Sequence, residues 1–171
     1  MGRVVLEHAS NDYECYFVDD NASDAINGCK VVGRINDLKT LRNEFELLVV
    51  TIGNNKLREN IYSIASELGY TFPNIVVQSA YISPYAEIGR GCIILNYVVV
   101  QNGAKVGNGV ILNAGVELHQ DSVVGNNVLI YANTVVRSLA NISDRVCLQS
   151  TITVGTGVKI MSDEIVEQSM F

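Results

Sequence analysis

The sequence predicts a parallel β-helix that follows a small α/β unit, and three observations lead to this fold class. From residue 81 onwards an aliphatic side chain returns every six positions. Before residue 81 the apolar residues instead follow the periods of ordinary helices and strands. The composition, 48% hydrophobic and 18% charged in 171 residues, allows a sizeable core and argues against disorder.

The six-residue repeat is the strongest of these signals. Consecutive blocks from YISPYA to IVEQSM fit residues 81–170 without a gap, and the second residue of each block is Ile, Leu or Val. An α-helix returns its apolar stripe every 3.6 residues, whereas a hexapeptide period is typical of a parallel β-helix, in which short strands stack coil upon coil. We therefore expect second-position side chains to line one shared interior, with small sixth-position residues beside them at tight corners. Examples are Ile88, Val106, Val124 and Ile142.

The end of the repeat is predicted from one unfavourable charge. Glu164 occupies a sixth position, where burial of a carboxylate would be costly. We therefore expect the tail SDEIVEQSM to leave the coil as a short helix that Ser162 or Asp163 caps.

The first part of the chain predicts a separate unit, so the predicted domains are residues 1–78 and 79–171. GRVVLEHASND predicts a helix, ECYFVDD a strand, FELLVVTIG a strand buried on both faces, and NNKLRENIYSIASELGY a second helix. Such a unit ordinarily opens with a strand and a glycine-rich turn, whereas this chain begins at the helix. We therefore expect a Rossmann-like sheet that lacks its first strand, either because the natural start is short or because that strand has been removed.

Polar residues follow both predicted strands of this unit. Ligands of parallel α/β sheets bind beyond the carboxyl ends of the strands, and here those ends carry Asp19 and Asp20, then Gly53, Asn54 and Asn55. We expect both groups to face one crevice, where backbone N–H groups at a helix start would suit a phosphate or a ribose. The simpler alternatives are a strand-to-turn signal and an ordinary helix start.

Composition excludes several classes of function. The net charge is −6 and no basic stripe is present, so nucleic acid is a poor partner. No apolar run is long enough for a membrane span and no secretion signal is visible, so we expect a cytoplasmic protein. The four cysteines form no CxxC pair. A three-histidine zinc site of the β-helix carbonic-anhydrase kind is excluded because only His8 and His119 are present, and His8 is expected to be an exposed helix residue.

His119, within GVELHQDSVVG, is the main catalytic candidate. Histidine suits general-base chemistry because its pKa lies near neutrality, and the nearby Asp121 could orient its ring. The alternative is a solvated corner residue, because His119 fills a third position of its block, where Gly or Asn is usual. Both interpretations remain open on the sequence.

Three stretches together resemble a known family. TIGNNKLRENIYSIASELGY, AYISPYAEIG and GVILNAGVELHQDSVVG resemble the left-handed β-helix sugar acetyltransferases, of the sialic-acid O-acetyltransferase and bacillosamine N-acetyltransferase type. The resemblance implies a left-handed coil, a homotrimer, acetyl-CoA as co-substrate in the groove between neighbouring β-helices, and a nucleotide-linked amino sugar beside the front unit. No metal is expected, because the chain has only the two histidines His8 and His119.

The resemblance also implies roles for particular residues. Asp19 and Asp20 match a pair that contacts the nucleotide, the stretch 53–55 matches a second nucleotide-side loop, and Asn113 matches an asparagine near the acceptor. The family's general base is a histidine at the position of Gln120, and a second family histidine falls on Leu129. The expected function is therefore acetyl transfer to a nucleotide-linked amino sugar for a surface glycan. The alternative is a catalytically impaired trimer that only binds a sugar nucleotide or serves as a scaffold.

Overall fold

In the larger part of the protein the chain winds into a coil whose three sides are parallel β-sheets. The computed structural model describes residues 1–22 and 24–171. The helices are α1 (Gly2–Ala9), α2 (Leu38–Leu41) and α3 (Asn55–Glu67), and a 3-10 turn covers Ile35–Asp37. The strands are β1 (Phe17–Val18), β2 (Ala25–Ile26), β3 (Cys29–Gly33), β4 (Ile75–Val76), β5 (Tyr81–Ile82), β6 (Glu87–Ile88), β7 (Ile93–Ile94), β8 (Val99–Val100), β9 (Lys105–Val106), β10 (Ile111–Leu112), β11 (Glu117–Leu118), β12 (Val123–Val124), β13 (Leu129–Ile130), β14 (Val135–Val136), β15 (Asn141–Ile142), β16 (Cys147–Leu148), β17 (Thr153–Val154), β18 (Lys159–Ile160) and β19 (Ile165–Val166).

The coil has three faces, and each is a sheet of parallel two-residue strands. Face I is the six-stranded sheet β4-β7-β10-β13-β16-β19, face II is β5-β8-β11-β14-β17 and face III is β6-β9-β12-β15-β18. The strands within each face pair in register one full coil apart, as Glu117 pairs with Val99 and Val135. This arrangement confirms the predicted left-handed parallel β-helix, whose first rung is already β4.

The interior is the predicted set of aliphatic columns. Ile88, Val106, Val124 and Ile142 belong to one cluster, together with the second-position residues of the other blocks. Sixth-position residues fill the corners, where Ser122 and Thr134 are fully buried and donate their hydroxyls to the carbonyls of His119 and Gln149. The hexapeptide pattern therefore fixes the core because each inward side chain stacks on its equivalents.

The fifth residue of almost every six-residue block lies at a corner of the coil and has a left-handed backbone. Glycines such as Gly91 and Gly109 adopt positive φ there without cost, but Tyr97, Asp121 and Leu139 do so as well, with φ of 58–63°. A positive φ is unfavourable for a bulky L-residue. The coil imposes this conformation because the chain must turn tightly and re-enter the next sheet in register.

The N-terminal unit contains a three-stranded sheet in the order β1-β3-β2, in which β1 and β3 are parallel. The predicted first helix is confirmed as α1, and it packs Val5 and Ala9 against face I. That face carries outward aliphatic residues at every third block, including Ile93, Ile111 and Leu129. An outer apolar row on one face of the coil therefore anchors the unit.

The predicted strand FELLVVTIG is wrong. Across the described part of the chain, residues 45–53 form only one isolated bridge, between Leu47 and Thr71. The N–H of Val50 donates instead to the hydroxyl of Tyr62, 3.2 Å away on α3. An extended segment needs a neighbouring strand to form a ladder, and here side chains of α3 lie beside the run.

The predicted C-terminal helix is also wrong. Ile165–Val166 forms β19, which pairs with β16 and continues face I. The side chain of Glu164 is exposed, and its carboxylate accepts the N–H of Met161 at 3.1 Å. The charge is therefore not buried at this sixth position. The coil thus continues through the position where the charge was expected to end it, and Asp163 occupies a left-handed corner instead of a helix cap.

Candidate functional site

A cavity of about 330 Å³ lies beyond the carboxyl ends of β1 and β3. Asp20, Val31, Gly33, Arg34 and Asp37 are among its lining residues. Parallel strands that end at one edge leave such a crevice, as the sequence predicts. The cavity combines a cationic side chain with two carboxylates and backbone groups, which suits a polar ligand.

The carboxylates at this edge also organise the surrounding loops. Asp19 accepts the N–H groups of Asn21 and Ala22 at 2.8 and 3.0 Å, while Asp20 accepts that of Ile35 at 2.9 Å. Asp20 lines the cavity, whereas Asp19 is not among its lining residues. The two aspartates therefore shape the turn that borders the cavity.

The second predicted group, Gly53 to Asn55, is placed apart from that cavity. Gly53, Asn54 and Asn55 are not among its lining residues. Asn54 is the N-cap of α3 and accepts the N–H of Leu57 at 3.0 Å. Asn55 donates to the carbonyls of Arg145 and Val146 at 2.8 and 3.0 Å. The cavity beside Asp20 is therefore lined by a residue of the first predicted group and by none of the second, and the amide of Asn55 joins α3 to the coil.

One face of α3 binds a column of carbonyls along the coil. Asn55, Arg58 and Tyr62 share this face because they are three and four residues apart on a helix. The hydroxyl of Tyr62 donates to Gly91 O at 2.8 Å, and the guanidinium of Arg58 donates to Gly109 O at 2.9 Å and to Asn127 O. We call these three residues the α3 clamp.

Burial changes the acidity of the groups in the α3 clamp. Burial lowers the pKa of Arg58 to about 10 and raises the pKa of Tyr62 to about 12. Both groups therefore keep their neutral-pH form, a charged guanidinium and a neutral phenol, and Arg58 is fully buried. Its four hydrogen-bond partners are carbonyl and amide oxygens of Gly109, Asn127, Ile52 and Asn55, none of them ionised.

His119 lies on the outer side of face II, directly after β11. Its Nε2 is 3.3 Å from Oε2 of Glu117, two residues earlier on the same strand. Residues at i and i+2 of a strand point to the same side, so the two side chains meet outside while Leu118 between them is fully buried. The side chain of His119 keeps 28% of its surface exposed.

Asp121 takes a different direction from the one the sequence suggests. Its backbone is left-handed, with φ of 58°, and its carboxylate lies against Gly103 in the preceding coil, where a Cβ would collide with it. Among the hydrogen bonds of residues 1–22 and 24–171, the carboxylate that reaches the ring of His119 belongs to Glu117. Sequence reasoning missed Glu117, although the alternation of the strand could have revealed it.

Gln120, which the resemblance predicts to stand where the family has its histidine, lines a surface groove of about 340 Å³. Tyr81, Tyr85, Gln101 and Asn102 also line this groove. The side-chain oxygen of Gln101 accepts the N–H of Gln120 at 3.2 Å. The groove therefore offers amides and two exposed aromatic rings beside the coil corner that carries His119.

The remaining predicted positions belong to face I. Asn113 donates through Nδ2 to the carbonyl of Ile130 at 3.0 Å, so its amide is held within the sheet. Leu129 is 2% exposed and packs in the apolar cluster beneath α1. A histidine at position 129 would have to be buried there, which explains in packing terms why an aliphatic residue fits.

Residues 1–22 and 24–171 contain neither a metal-binding cluster nor a membrane-spanning helix. In that part of the chain no group of three or more His, Cys, Asp or Glu side chains is arranged to hold a metal ion. None of the helices described combines the length and apolar character required to span a membrane.

Two protein families match parts of the sequence. The PglD N-terminal domain family matches residues 1–65. The bacterial transferase hexapeptide family, described by six repeats, matches residues 85–120. The first match covers α1, α2 and most of α3, and the second covers the coils that carry Gln101 and His119.

Solved structures are similar over nearly the whole chain. The acetyltransferase domain of PglB from Neisseria gonorrhoeae FA1090 is 30% identical, with 95% of this chain and 87% of that chain covered and a TM-score of 0.71. The same domain in complex with acetyl coenzyme A is 29% identical, with 96% and 87% covered and a TM-score of 0.62. PerB from Caulobacter crescentus in complex with CoA and GDP-perosamine is 22% identical, with 97% and 86% covered and a TM-score of 0.59, and supports the fold alone.

Proposed function

Because the chain belongs to the left-handed β-helix sugar acetyltransferases, we propose that it transfers acetyl from acetyl-CoA to a nucleotide-linked amino sugar for a surface glycan. The observation that carries this proposal is the similarity to the acetyltransferase domain of PglB, 30% identical over 95% of this chain. That domain has also been solved with acetyl coenzyme A, which supports acetyl-CoA as the co-substrate here.

The cavity beside Asp20 supports a nucleotide site. It lies at the end of the parallel strand pair, and Arg34 in its lining could pair with a phosphate. Asp19, Asp20 and the stretch 53–55 are the proposed nucleotide-side residues. For Asn54 and Asn55 the contribution to a ligand would come from exposed backbone groups at the start of α3, because both side chains are already hydrogen-bonded.

Acetyl transfer from a thioester requires a base for the acceptor and a donor for the developing oxyanion. We assign the base to His119, whose ring is accessible on face II. The acceptor nitrogen or oxygen attacks the thioester carbonyl carbon and loses its proton to the ring as the carbon–sulfur bond breaks. The sulfur of CoA leaves as a thiolate and takes up a proton. Asn113 and Gln120 stay proposed as neighbours of the acceptor.

The experiment is a turnover assay with the intact protein. Release of CoA from acetyl-CoA is followed by liquid chromatography with a panel of UDP- and GDP-linked amino sugars, and the protein without acceptor gives the background. We expect acceptor-dependent release that His119→Ala lowers by about 100-fold or more, the usual contribution of a general base. Turnover that survives His119→Ala unchanged would remove His119 from the chemistry.

A second candidate function, a trimer that binds a sugar nucleotide without acetylating it, is favoured by Gln120 and Leu129. A glutamine amide cannot take up a proton at neutral pH, and Leu129 is buried beneath α1. Calorimetric binding of a UDP- or GDP-amino sugar combined with no release of CoA for the whole panel would establish this candidate and overturn the first.

The assembly and location belong to the same proposal. We propose a homotrimer, because proteins of this family bind acetyl-CoA in the groove between the β-helices of neighbouring subunits. We also propose a cytoplasmic location, where acetyl-CoA is available and the four free cysteines would stay reduced. Light scattering after size-exclusion chromatography should give three times the chain mass of 18.6 kDa. A monomer mass at all concentrations would contradict the trimer.

A further inference from the structure

Glu117 and His119 form a pair that the neighbouring backbone holds in place. The N–H of Glu117 donates to Thr134 O at 3.0 Å and that of His119 donates to Val136 O at 2.9 Å, so both residues are fixed to the next coil. The buried hydroxyl of Ser122 donates to His119 O at 2.7 Å. The backbone of both residues is therefore fixed, and Nε2 of His119 and Oε2 of Glu117 lie 3.3 Å apart on the outer side of the coil.

The contact also distinguishes the two nitrogens of the ring. A carboxylate only accepts hydrogen bonds, so the contact with Glu117 is a hydrogen bond in the tautomer that carries its hydrogen on Nε2. In the neutral ring Nδ1 then holds the free lone pair. Within the hydrogen bonds of the described residues, Nε2 has Glu117 as its partner, and Nδ1 has none from the chain itself.

We propose that Glu117 is the positioning residue that fixes the tautomer of His119, so that Nδ1 is the atom that takes the acceptor proton. This inference rests on the proposed acetyl transfer. In the step, the acceptor nitrogen or oxygen forms a bond to the acetyl carbon, its proton moves to Nδ1, and the electrons of the carbon–sulfur bond leave with the CoA thiolate. The imidazolium that forms is stabilised by the carboxylate of Glu117 on its other side.

Other residues near the ring are less suited to this role. The carboxylate of Asp121 lies against Gly103. Gln120 could donate or accept a hydrogen bond, but it is uncharged and could not stabilise an imidazolium. In the columns that run through face II, Gln101 precedes His119 by one coil and Arg137 follows it by one coil. Gln101 is uncharged and Arg137 is a cation, so neither could stabilise an imidazolium as a carboxylate does.

The first test reads the tautomer directly and needs no substrate. Long-range proton–nitrogen NMR at about pH 9, above the ordinary titration range of imidazole, gives separate signals for the only two histidines. We expect His119 to be the Nε2–H form to a greater extent than His8, and Glu117→Gln to shift His119 towards the mixture that His8 shows. An Nδ1–H form of His119, or the same mixture as His8 in the unaltered protein, would overturn the proposal.

The second test is kinetic and separates positioning from folding. Glu117→Gln should lower kcat about 10-fold while KM for acetyl-CoA changes less than about 2-fold, because the ring is present but less well oriented. The matched control is Glu87→Gln, another first-position carboxylate, which lies on face III and pairs with Lys105 at 2.9 Å. Glu87→Gln should leave both constants unchanged.

The outcomes distinguish this inference from the function beneath it. The role of Glu117 is overturned if His119→Ala lowers acceptor turnover and Glu117→Gln does not. It is overturned as well if Asp121→Asn lowers turnover in place of Glu117→Gln. Both outcomes leave acetyl transfer standing. No turnover with any acceptor overturns the proposed function, and the NMR measurement then still decides whether Glu117 sets the tautomer.

Discussion

Replacement of Arg58 by methionine tests how the N-terminal unit is held to the coil. Arg58 is fully buried, and its guanidinium makes four hydrogen bonds, two of which reach carbonyls of successive coils at Gly109 and Asn127. Arg58→Met keeps most of the apolar stem and removes all four. The substitution therefore isolates the polar part of the α3 clamp.

The magnitude follows from two opposing contributions. A hydrogen bond to a charged group contributes about 1.5–3 kcal/mol, so four such bonds would exceed 6 kcal/mol on simple addition. Burial of a cation without a carboxylate partner costs several kcal/mol, and the variant recovers that cost. We expect Arg58→Met to lower the free energy of unfolding by about 3–5 kcal/mol, because each of the four oxygens left without a donor costs about 1–3 kcal/mol and the recovered desolvation of the cation offsets part of that sum.

Urea unfolding followed by circular dichroism at one fixed protein concentration gives this value, since an oligomer's stability depends on concentration. Lys56→Met is the matched control, because Lys56 lies on the same helix with its side chain 75% exposed and pairs with Asp163 at the surface. That control should change stability by less than about 0.5 kcal/mol. A loss below about 1 kcal/mol for Arg58→Met would refute the assignment of the clamp as the main polar attachment.

Three further predictions use other parts of the molecule. Gly107→Ala should lower the free energy of unfolding in urea by about 1–3 kcal/mol, because its Cβ would lie 2.7 Å from the backbone of Gly125. A Cβ at Gly53 would meet open space, so Gly53→Ala should leave this free energy unchanged. Equal effects of the two substitutions would contradict the packing argument. Burial raises the pKa of the Cys92 thiol to about 11, so alkylation mapped by mass spectrometry should reach Cys92 only after unfolding, and rapid labelling in the native state would argue against the buried corner. Burial raises the pKa of Tyr62 from 10 to about 12, so its neutral phenol stabilises the fold fully below about pH 10 and loses that contribution as the pH rises towards 12. The urea midpoint should therefore decrease over this pH range, and Tyr62→Phe should make that decrease smaller. An equal decrease in both proteins would contradict a buried phenol at Tyr62.

The interior of the coil could be predicted from the sequence because it depends on a single repeating choice. One aliphatic residue at each second position is sufficient for columns such as Val106 and Val124 to form, whatever the corner residues are. The same simplicity explains the error at the C-terminus. Glu164 breaks the sixth-position pattern, but an exposed side chain at the last corner avoids the cost of burial, so the coil continues to β19.

The N-terminal unit was harder to predict because its contacts are not local. The apolar run 45–53 has the composition of a central strand, yet its backbone groups find partners in side chains of α3. The left-handed corners were not predictable either, since residues such as Tyr97 and Leu139 seldom adopt positive φ by themselves. In both cases tertiary context overrides the local preference of the chain.

The candidate site was predicted in part, and the difference lies in strand geometry. The sequence pointed to His119 and to Asp121 as its partner, because both stand in the corner motif. The structure places Glu117 beside the ring, since Glu117 on β11 and His119 directly after it are two residues apart in extended backbone and share the outer side of the sheet. Asp121 turns away because its backbone is left-handed. The residue roles within a corner therefore require φ values that the residue types do not reveal.

The α3 clamp has a mechanical consequence for the whole molecule. Successive coils of a β-helix could shift along the axis relative to one another. Three side chains of α3 oppose such a shift, because they donate hydrogen bonds to the carbonyls of Gly91, Gly109, Asn127 and Arg145. A helix attached at four successive turns prevents those turns from sliding past one another. The unit that carries Asp20 therefore cannot move as a hinged flap unless these hydrogen bonds break.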